Sequence, residues 1–538
     1  MKKNASDASA AKANASSFLS KADIMAGFSV FLIALPLCLG ISLASGFPSI
    51  AGVFTAIVGG LFVSFFKGSQ LTIKGPAAGL IVIALGAVEE LGQGDNFRGY
   101  TLTLAVIVAA GIVQILMGLL KWGDLVDFFP ASAVHGMLAA IGIIIIAKQL
   151  PVMMGATTQA KDPIGMLLHI PEMLENLNPH IAIIGFSSLA LLIFWSGRKG
   201  KFFKAIPAPL AVLLLAFPLE ILYRLDVDHE YIINGHIYHT GPDFLVNLPS
   251  NLLSAIQLPD FSQLISSTSI KYIIMFALVG SLESLLSSKA IDLLDPQKRN
   301  SNMNRDLIGV GVGNSLVGMV GGLPMISEIV RSSANINAGA KSYASNFYHG
   351  LFLLIFVVFF PDLIHRIPLA ALAAMLVFTG FRLASPKAFK HSWEIGKEQL
   401  LIFCTTIIVT LLTDLLLGIL AGICIKLLQS LYHGISLKDL FKAKYDLHKT
   451  GQKVRIELKS GLVFTNYLGF QKLLRAQSEV EEIEVNLSRV NFVDHTSLHN
   501  LDRLKDVFSQ KGILLSVHGL DQLNPRSAHP FAAHKRKK

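Results

Sequence analysis

The chain has 538 residues, of which 52% are hydrophobic and only 15% charged, with a formal net charge of +10. Soluble domains carry roughly a quarter charged residues, so this balance excludes an ordinary soluble fold and points to lipid as the main solvent. The excess Lys and Arg lies between apolar runs, the placement that orients membrane proteins, and not in a nucleic-acid-binding patch.

Positions 1–20 are rich in Ala, Ser, Asn and Lys but lack an apolar core and a cleavage pattern, which predicts a disordered cytoplasmic tail and not a signal peptide. A membrane helix needs about 20 predominantly apolar residues. Uncharged runs of this kind are Ile24–Ser45, Pro48–Phe66, Thr101–Leu120, Ala131–Ala147, Ile181–Gly197 and Ala205–Leu219. After a polar stretch come Tyr272–Ser288, Leu307–Val320, Asn346–Phe360, Ile367–Phe381, Leu400–Thr413 and Leu415–Ile425. Two short segments, Ala77–Val88 and Ser327–Gly339, are each preceded by Gly and Pro and bring the count to fourteen. Cys38, Cys404 and Cys424 all lie inside apolar runs without CxxC spacing, and read as small packing residues.

Charge then sets the orientation. The loops Arg198–Lys204, Lys289–Arg305 and Arg382–Lys397 are basic, whereas Leu225–Ile270 has no Lys or Arg and carries Asp226, Asp228, Glu230, Asp243 and Asp260. Basic loops face the cytoplasm, so the acidic loop is expected outside and both termini inside. That loop divides the membrane part into two halves of seven segments, about 21–224 and 271–436, with the loop at about 225–270. An odd number per half requires the second half to be inverted.

In both halves the third segment is broken, as TIKGPAAGL (Thr72–Leu80) and as GGLPMISEI (Gly321–Ile329). Each predicts an extended stretch, a Pro, and a helix that begins part-way through the bilayer. Interrupted segments at corresponding places in two halves point to a midplane binding site of a transporter. From about 437 to 538 charges become frequent, and strands are expected at Val454–Phe464, Glu482–Ser488 and Gly512–Leu520. Helices are expected at Tyr467–Val480 and Ser497–Gln510, which makes a small soluble α/β domain. The terminal HKRKK reads as a solvated tail attracted to anionic lipid headgroups.

DIMAGFSVFLIALPLCLGISLASGFP, IKGPAAG, SLESLLSSKAID and GGLPMISEIVRSSANINAGAKS together resemble the SulP (sulfate permease) family. VNLSRVNFVDHTSLHNLDRLK is similar to the central strand–turn–helix of STAS domains, so the resemblance spans Ala22 to about His534. It implies a mainly α membrane protein of 14 transmembrane segments in a 7+7 inverted repeat with core and gate regions, plus a small cytoplasmic α/β STAS domain. It also implies a cell (inner or plasma) membrane location, homodimers, and transport of a small inorganic anion coupled to a proton or sodium, or exchanged for another anion. The anion is then expected between the third and tenth segments.

An inorganic anion has no apolar surface, so its site must replace hydration with oriented donors, and two opposed half-helix N-termini supply them. Gly75, Ala77, Ala78 and Gly79 leave room for backbone approach on one side, with Ser327, Glu328 and Ile329 on the other; the plain alternative for the small residues is tight helix packing. Glu283 lies well inside an apolar run, where a charge costs about 2.5–3.5 kcal/mol on insertion scales, so it is functional by default. Ser287 shares its face one turn later. The resemblance puts an acidic residue at the place of Glu283 beside the anion and ties it to the coupling ion.

Glu328 departs from the small residues of many SulP members. In the first turn of the tenth segment it competes with an anion for donors when ionised, and can donate to the anion when protonated; its structural alternative is an ion pair with Arg331 at i+3. Lys74 and Arg331 are the cations closest in sequence to the half-helices, and either attracts an anion or snorkels to an interface. Lys148 is expected to anchor a helix end. SulP sodium–bicarbonate carriers have Thr where Ala77 stands, which argues against a sodium site, although Glu283 and Ser287 offer oxygen ligands for one. In the STAS part, Thr496 and Ser497 follow Asp494 at a turn that is phosphorylated in free-standing STAS proteins, against the plain reading of a helix N-cap.

Two other functions fit part of the pattern. A nucleobase or dicarboxylate carrier on the same architecture also uses carboxylates in the eighth and tenth segments, and a membrane sensor would use the STAS domain to signal to a cytoplasmic partner. No HExxH, P-loop or GxSxG supports an enzyme, and no cofactor is expected.

Overall fold

The computed structural model describes the chain except residues 1–19, 124–129, 161, 199, 201–202, 204–205, 234, 248–253, 414, 478–479, 510–511 and 537–538. The expected N-terminal tail and part of the basic loop after Arg198 lie outside the described residues. The fold is mainly helical, and each of the fourteen expected segments contains a helix. In the first half these are α1 (Lys21–Ala44), α2 (Ala51–Leu61), α3 (Ile81–Gly92), α4 (Asn96–Leu119), α5 (Ala131–Met154), α6 (Pro179–Ser196) and α7 (Ala208–Leu222). In the second they are α8 (Ser267–Leu294), α9 (Met303–Val320), α10 (Ile329–Asn337), α11 (Ala344–Phe359), α12 (Leu369–Leu383), α13 (Lys397–Leu412) and α14 (Leu415–Tyr432). Seven helices among the described residues are long and apolar enough to cross a bilayer, and three shorter ones are also apolar. α5 continues past Lys148 to Met154, so this lysine does not mark a helix end.

Local sequence sets the ends of several helices. Asp95, Asn178, Ser266 and Asn302 cap α4, α6, α8 and α9, each accepting a backbone N–H three residues on. α9 stops at Gly321, whose φ of +89° suits glycine and closes the helix. Close packing of α4 on α9 also depends on glycine. A side chain at Gly111 would overlap the Gly311 carbonyl, and one at Gly311 the Gly111 carbonyl, so the two backbones touch.

The two interrupted stretches form strands β1 (Ile73–Pro76) and β4 (Met325–Glu328), which pair antiparallel with Ile73 opposite Glu328 and Gly75 opposite Ile326. Extended backbone away from water needs partners, and here each half supplies those of the other. The acidic loop after α7 holds a hairpin of β2 (His229–Ile233) and β3 (His236–Thr240).

The chain divides into two compact units, Met1–Gly123 with Gly142–Arg382, and Asp124–Ile141 with Leu383–Lys538. The second contains a sheet in the order β5-β6-β7-β9, made of Tyr445–Thr450, Lys453–Leu458, Glu482–Asn486 and Leu514–His518. Helices α15 (Phe464–Arg475) and α16 (His495–Ser509) accompany it. Phe464 opens α15, so the strand expected to reach it ends six residues earlier. The terminal basic segment is not a solvated tail as far as it is described. His534–Arg536 form β11, which pairs with β10 (Leu523–Pro525) and with β8 (Phe492–Val493).

Asp494 caps α16 by accepting the Ser497 amide at 2.7 Å, and its other oxygen accepts the Phe464 amide at 3.0 Å. Lys426 of α14 reaches the same carboxylate at 3.5 Å, with both side chains almost fully buried. Thr496 and Ser497 are buried, and their hydroxyls have no hydrogen-bond partner, so neither is presented for modification. His495 is buried against the Phe531 carbonyl, and burial holds its imidazole down at about 4. The unfolded chain takes up that proton below about pH 6.5 while the folded chain refuses it, so stability is lost as pH falls from 6.5 toward 4. The protection factor of the α16 amides in the full chain, which divides out the intrinsic slowing of exchange in acid, is expected to fall over that window, and less steeply in His495→Asn.

Candidate functional site

The break in each half puts a helix N-terminus beside the β1–β4 pair. Ala77 is extended and donates to the Pro324 carbonyl at 3.3 Å, after which a single 3-10 turn, Ala78–Leu80, leads into α3. Opposite it, Glu328 ends β4 as the N-cap residue of α10, with extended φ and ψ, and so stands outside the helix and not in its first turn. Polar side chains inside the bundle hold β4 in place. Asn314 of α9 accepts from the Met325 amide and donates to Gln114 of α4 at 2.7 Å, and Thr55 of α2 donates to the Leu323 carbonyl at 2.8 Å.

The two carboxylates meet the same helix start. The Ala78 amide donates to Glu328 Oε1 at 3.2 Å, and the Glu283 carboxylate of α8 lies against Gly79. Gly79 is glycine for a steric reason, because a β-carbon there would overlap the Glu283 carboxylate. Glu328 is buried, Glu283 and Ala78 keep partial exposure, and Glu283 Oε2 has no hydrogen-bond partner. The Ala78 N–H that an anion would need is therefore held by Glu328, with the Glu283 carboxylate alongside it. Ala77 is buried beside them, whereas Ile329 is 44% exposed and contributes no polar group beyond its backbone.

Lys74 neither snorkels nor stands free. Its ammonium, buried in β1, pairs with Asp306 of α9 at 2.6 Å and also binds the Ser327 hydroxyl. Ser284 and Ser288 of α8 join this cluster, their hydroxyls each 3.1 Å from Ser327 Oγ, and Ser288 donates to Asp306 Oδ2 at 2.9 Å. Ser327 thus spends its side chain on the ion pair and not on the helix-start site. Ser287 is buried on the same helix. Asp306 escaped the sequence reading; its signal was a carboxylate at the head of the ninth apolar run.

Arg331 is 1% exposed, so it does not snorkel either. It forms no ion pair with Glu328 among the described residues, and its guanidinium lies against Gly75. Among the described residues no group of His, Cys, Asp and Glu is arranged to hold a metal ion.

The profile of the sulfate permease family matches residues 21–406. The chain is 27% identical over 405 residues to the bicarbonate transporter BicA of Picosynechococcus sp., covering 75% of this chain and 69% of that one. It is 23% identical over 526 residues to the sodium-independent sulfate anion transporter of Bos taurus, covering 93% and 84%. Its fold resembles the solved transmembrane domain of a cyanobacterial BicA, with a TM-score of 0.63 and 26% identity over 75% of this chain and 97% of the other. It also resembles the overall structure of SLC26A9, with a TM-score of 0.66 and 15% identity over 93% and 84%. A bundle with broken helices, a profile match over well over half the chain and relatives that are transporters and not enzymes all agree: this chain belongs to the sulfate permease family of multi-pass membrane transporters.

Proposed function

We propose that this chain is a secondary active transporter of a small inorganic anion, sulfate or bicarbonate, bound where the N-termini of α3 and α10 face each other, and that a proton on Glu328 is coupled to it. The observation that carries the reading is the hold of Glu328 on the Ala78 amide, with the Glu283 carboxylate lying against Gly79 beside it. An ionised Glu328 holds the donor an anion needs and repels the anion itself. A protonated one releases the amide and offers an O–H in its place, so proton and anion bind together.

Around this site we propose fourteen spans in a 7+7 inverted repeat, with both termini cytoplasmic, in the cell membrane and as a homodimer. Residues after about 437 form a STAS domain with a cytoplasmic partner of its own. Sodium is the other candidate coupling ion, since the bare Oε2 of Glu283 and the Ser287 hydroxyl are oxygen ligands on one face of α8.

The test is uptake of labelled sulfate and bicarbonate into proteoliposomes holding the full chain, with proton, sodium and chloride gradients imposed separately. Uptake driven by an inward proton gradient without sodium is expected. Dependence on sodium alone would move the coupling to Glu283 and Ser287, competition by uracil or a dicarboxylate would favour an organic carrier, and no uptake under any gradient would sink the transport reading. Topology has its own check. A cysteine replacing Glu230 in the acidic loop is expected to react with an impermeant reagent added outside, and one replacing Ser436 is not; external labelling at Ser436 would break the inverted-repeat count.

A further inference from the structure

We propose that the Lys74 ammonium fills a monovalent-cation site at the β1–β4 crossing, so that the chain carries on a tethered side chain the charge that a sodium or potassium ion would otherwise bring. The inference stands apart from the anion-transport reading, because it concerns Asp306 and its neighbours and its test reads stability. Four elements meet at this place. β1 supplies Lys74, α9 supplies Asp306, α8 supplies Ser288 and β4 supplies Ser327, and all four residues are buried.

The oxygens are set as a cation needs them. The Ser288 and Ser327 hydroxyls donate to Asp306 Oδ2 at 2.9 and 3.1 Å. Each has then spent its only proton, and its lone pairs remain for a cation. Ser327 Oγ accepts from Lys74 Nζ, which lies 2.6 Å from Asp306 Oδ1. A carboxylate with hydroxyl oxygens is the ligand chemistry of a hard metal cation as well as of an ammonium. One carboxylate balances one positive charge, whereas a divalent ion would leave a charge uncompensated in a low-dielectric interior. The class of cation is therefore monovalent.

The lysine is held so that its stem has one direction to take. Its amide donates to Asn346 Oδ1 of α11 at 3.1 Å, and Gly59 of α2 makes room for its β-carbon, which a side chain at Gly59 would overlap. Beside the ion pair, Lys74 and Asp306 line a cavity of about 10 Å³, room for one water, together with Ser69 and Thr72. Both of those hydroxyls are buried and have no hydrogen-bond partner. They put two further oxygens within reach of the same carboxylate. Cutting the stem back to its β-carbon removes a group the size of propylammonium and keeps every oxygen ligand, so an ion from solution can take the place of the tether.

The test is melting of the full chain in detergent at fixed pH and ionic strength, in sodium, potassium, n-propylammonium or N-methylglucamine chloride, the last cation being too large for the site. Lys74→Ala is expected to melt far below the native chain in N-methylglucamine and to recover in sodium or potassium. Above the dissociation constant, each tenfold rise in that ion is expected to shift its folding equilibrium about tenfold. The native chain is expected to show no such recovery, and Lys74→Ala/Asp306→Asn, which lacks the carboxylate, is expected to melt alike in all four salts. Should Lys74→Ala fail to fold, Lys74→Gln keeps most of the packing, adds an amide oxygen and carries the same comparison. Melting of the single variant that ignores sodium and potassium, or that responds to propylammonium alone, would overturn the proposal. So would a recovery that persists in the double variant, since the ion would then sit elsewhere, for sodium at Glu283 and Ser287.

Discussion

Glu328→Gln is expected to leave anion exchange in place while abolishing proton-driven accumulation. Gln matches the protonated acid in size, is neutral, and can donate a hydrogen bond, so the Ala78 amide and the anion stay available to one another. For one proton per anion, a gradient of one pH unit is worth about 1.4 kcal/mol and sustains about tenfold accumulation. The variant is expected to equilibrate at about onefold, and its anion binding to lose the rise on acidification expected of the native chain. Glu283→Gln is expected to weaken binding itself, because that carboxylate orders the Gly79 end of the site. Had Glu328 served as the structural partner of Arg331, its removal would lower stability and keep the pH dependence, with rescue in the double mutant. The absence of an ion pair between them makes that outcome the unexpected one. Unchanged proton-driven uptake by a stable Glu328→Gln protein would remove Glu328 from the coupling.

Asp306→Asn is expected to cost about 3–5 kcal/mol, because it leaves the Lys74 ammonium buried without a counter-charge. That is a large part of the roughly 5–15 kcal/mol of net stability typical of a folded domain. The yield of monodisperse protein in detergent, read by fluorescence-detected gel filtration after heating, is expected to collapse. Replacing both members by apolar residues of similar size, Lys74→Met with Asp306→Leu, is expected to recover much of the loss, since no buried charge then remains. Native-like melting of Asp306→Asn would mean that Lys74 finds other partners, and would reopen a role for it toward the anion.

Much of the architecture was legible because it is written locally. Apolar run length marks helices, Pro and Gly mark where they break, and the matching breaks at Thr72–Leu80 and Gly321–Ile329 marked the place where β1 and β4 pair. Glu283 and Glu328 stood out for an equally local reason, a carboxylate inside an apolar run. Which group each side chain meets is a different kind of information. Lys74 lies 232 positions from Asp306, and Ala78 lies 250 from Glu328, and no periodicity encodes a register across such distances. Sequence spacing offered Arg331 as the alternative partner of Glu328, whereas the fold sends the carboxylate to the opposite helix start and leaves the guanidinium over Gly75. The basic terminal segment likewise read as a tail from its charges alone, yet β8 offers it an open edge to pair with. The sequence by itself determined the helices, their breaks and the buried carboxylates, since each depends on its own stretch of chain. Only the tertiary structure decided which charges are paired and which stay single, because pairing depends on how segments hundreds of residues apart come into register.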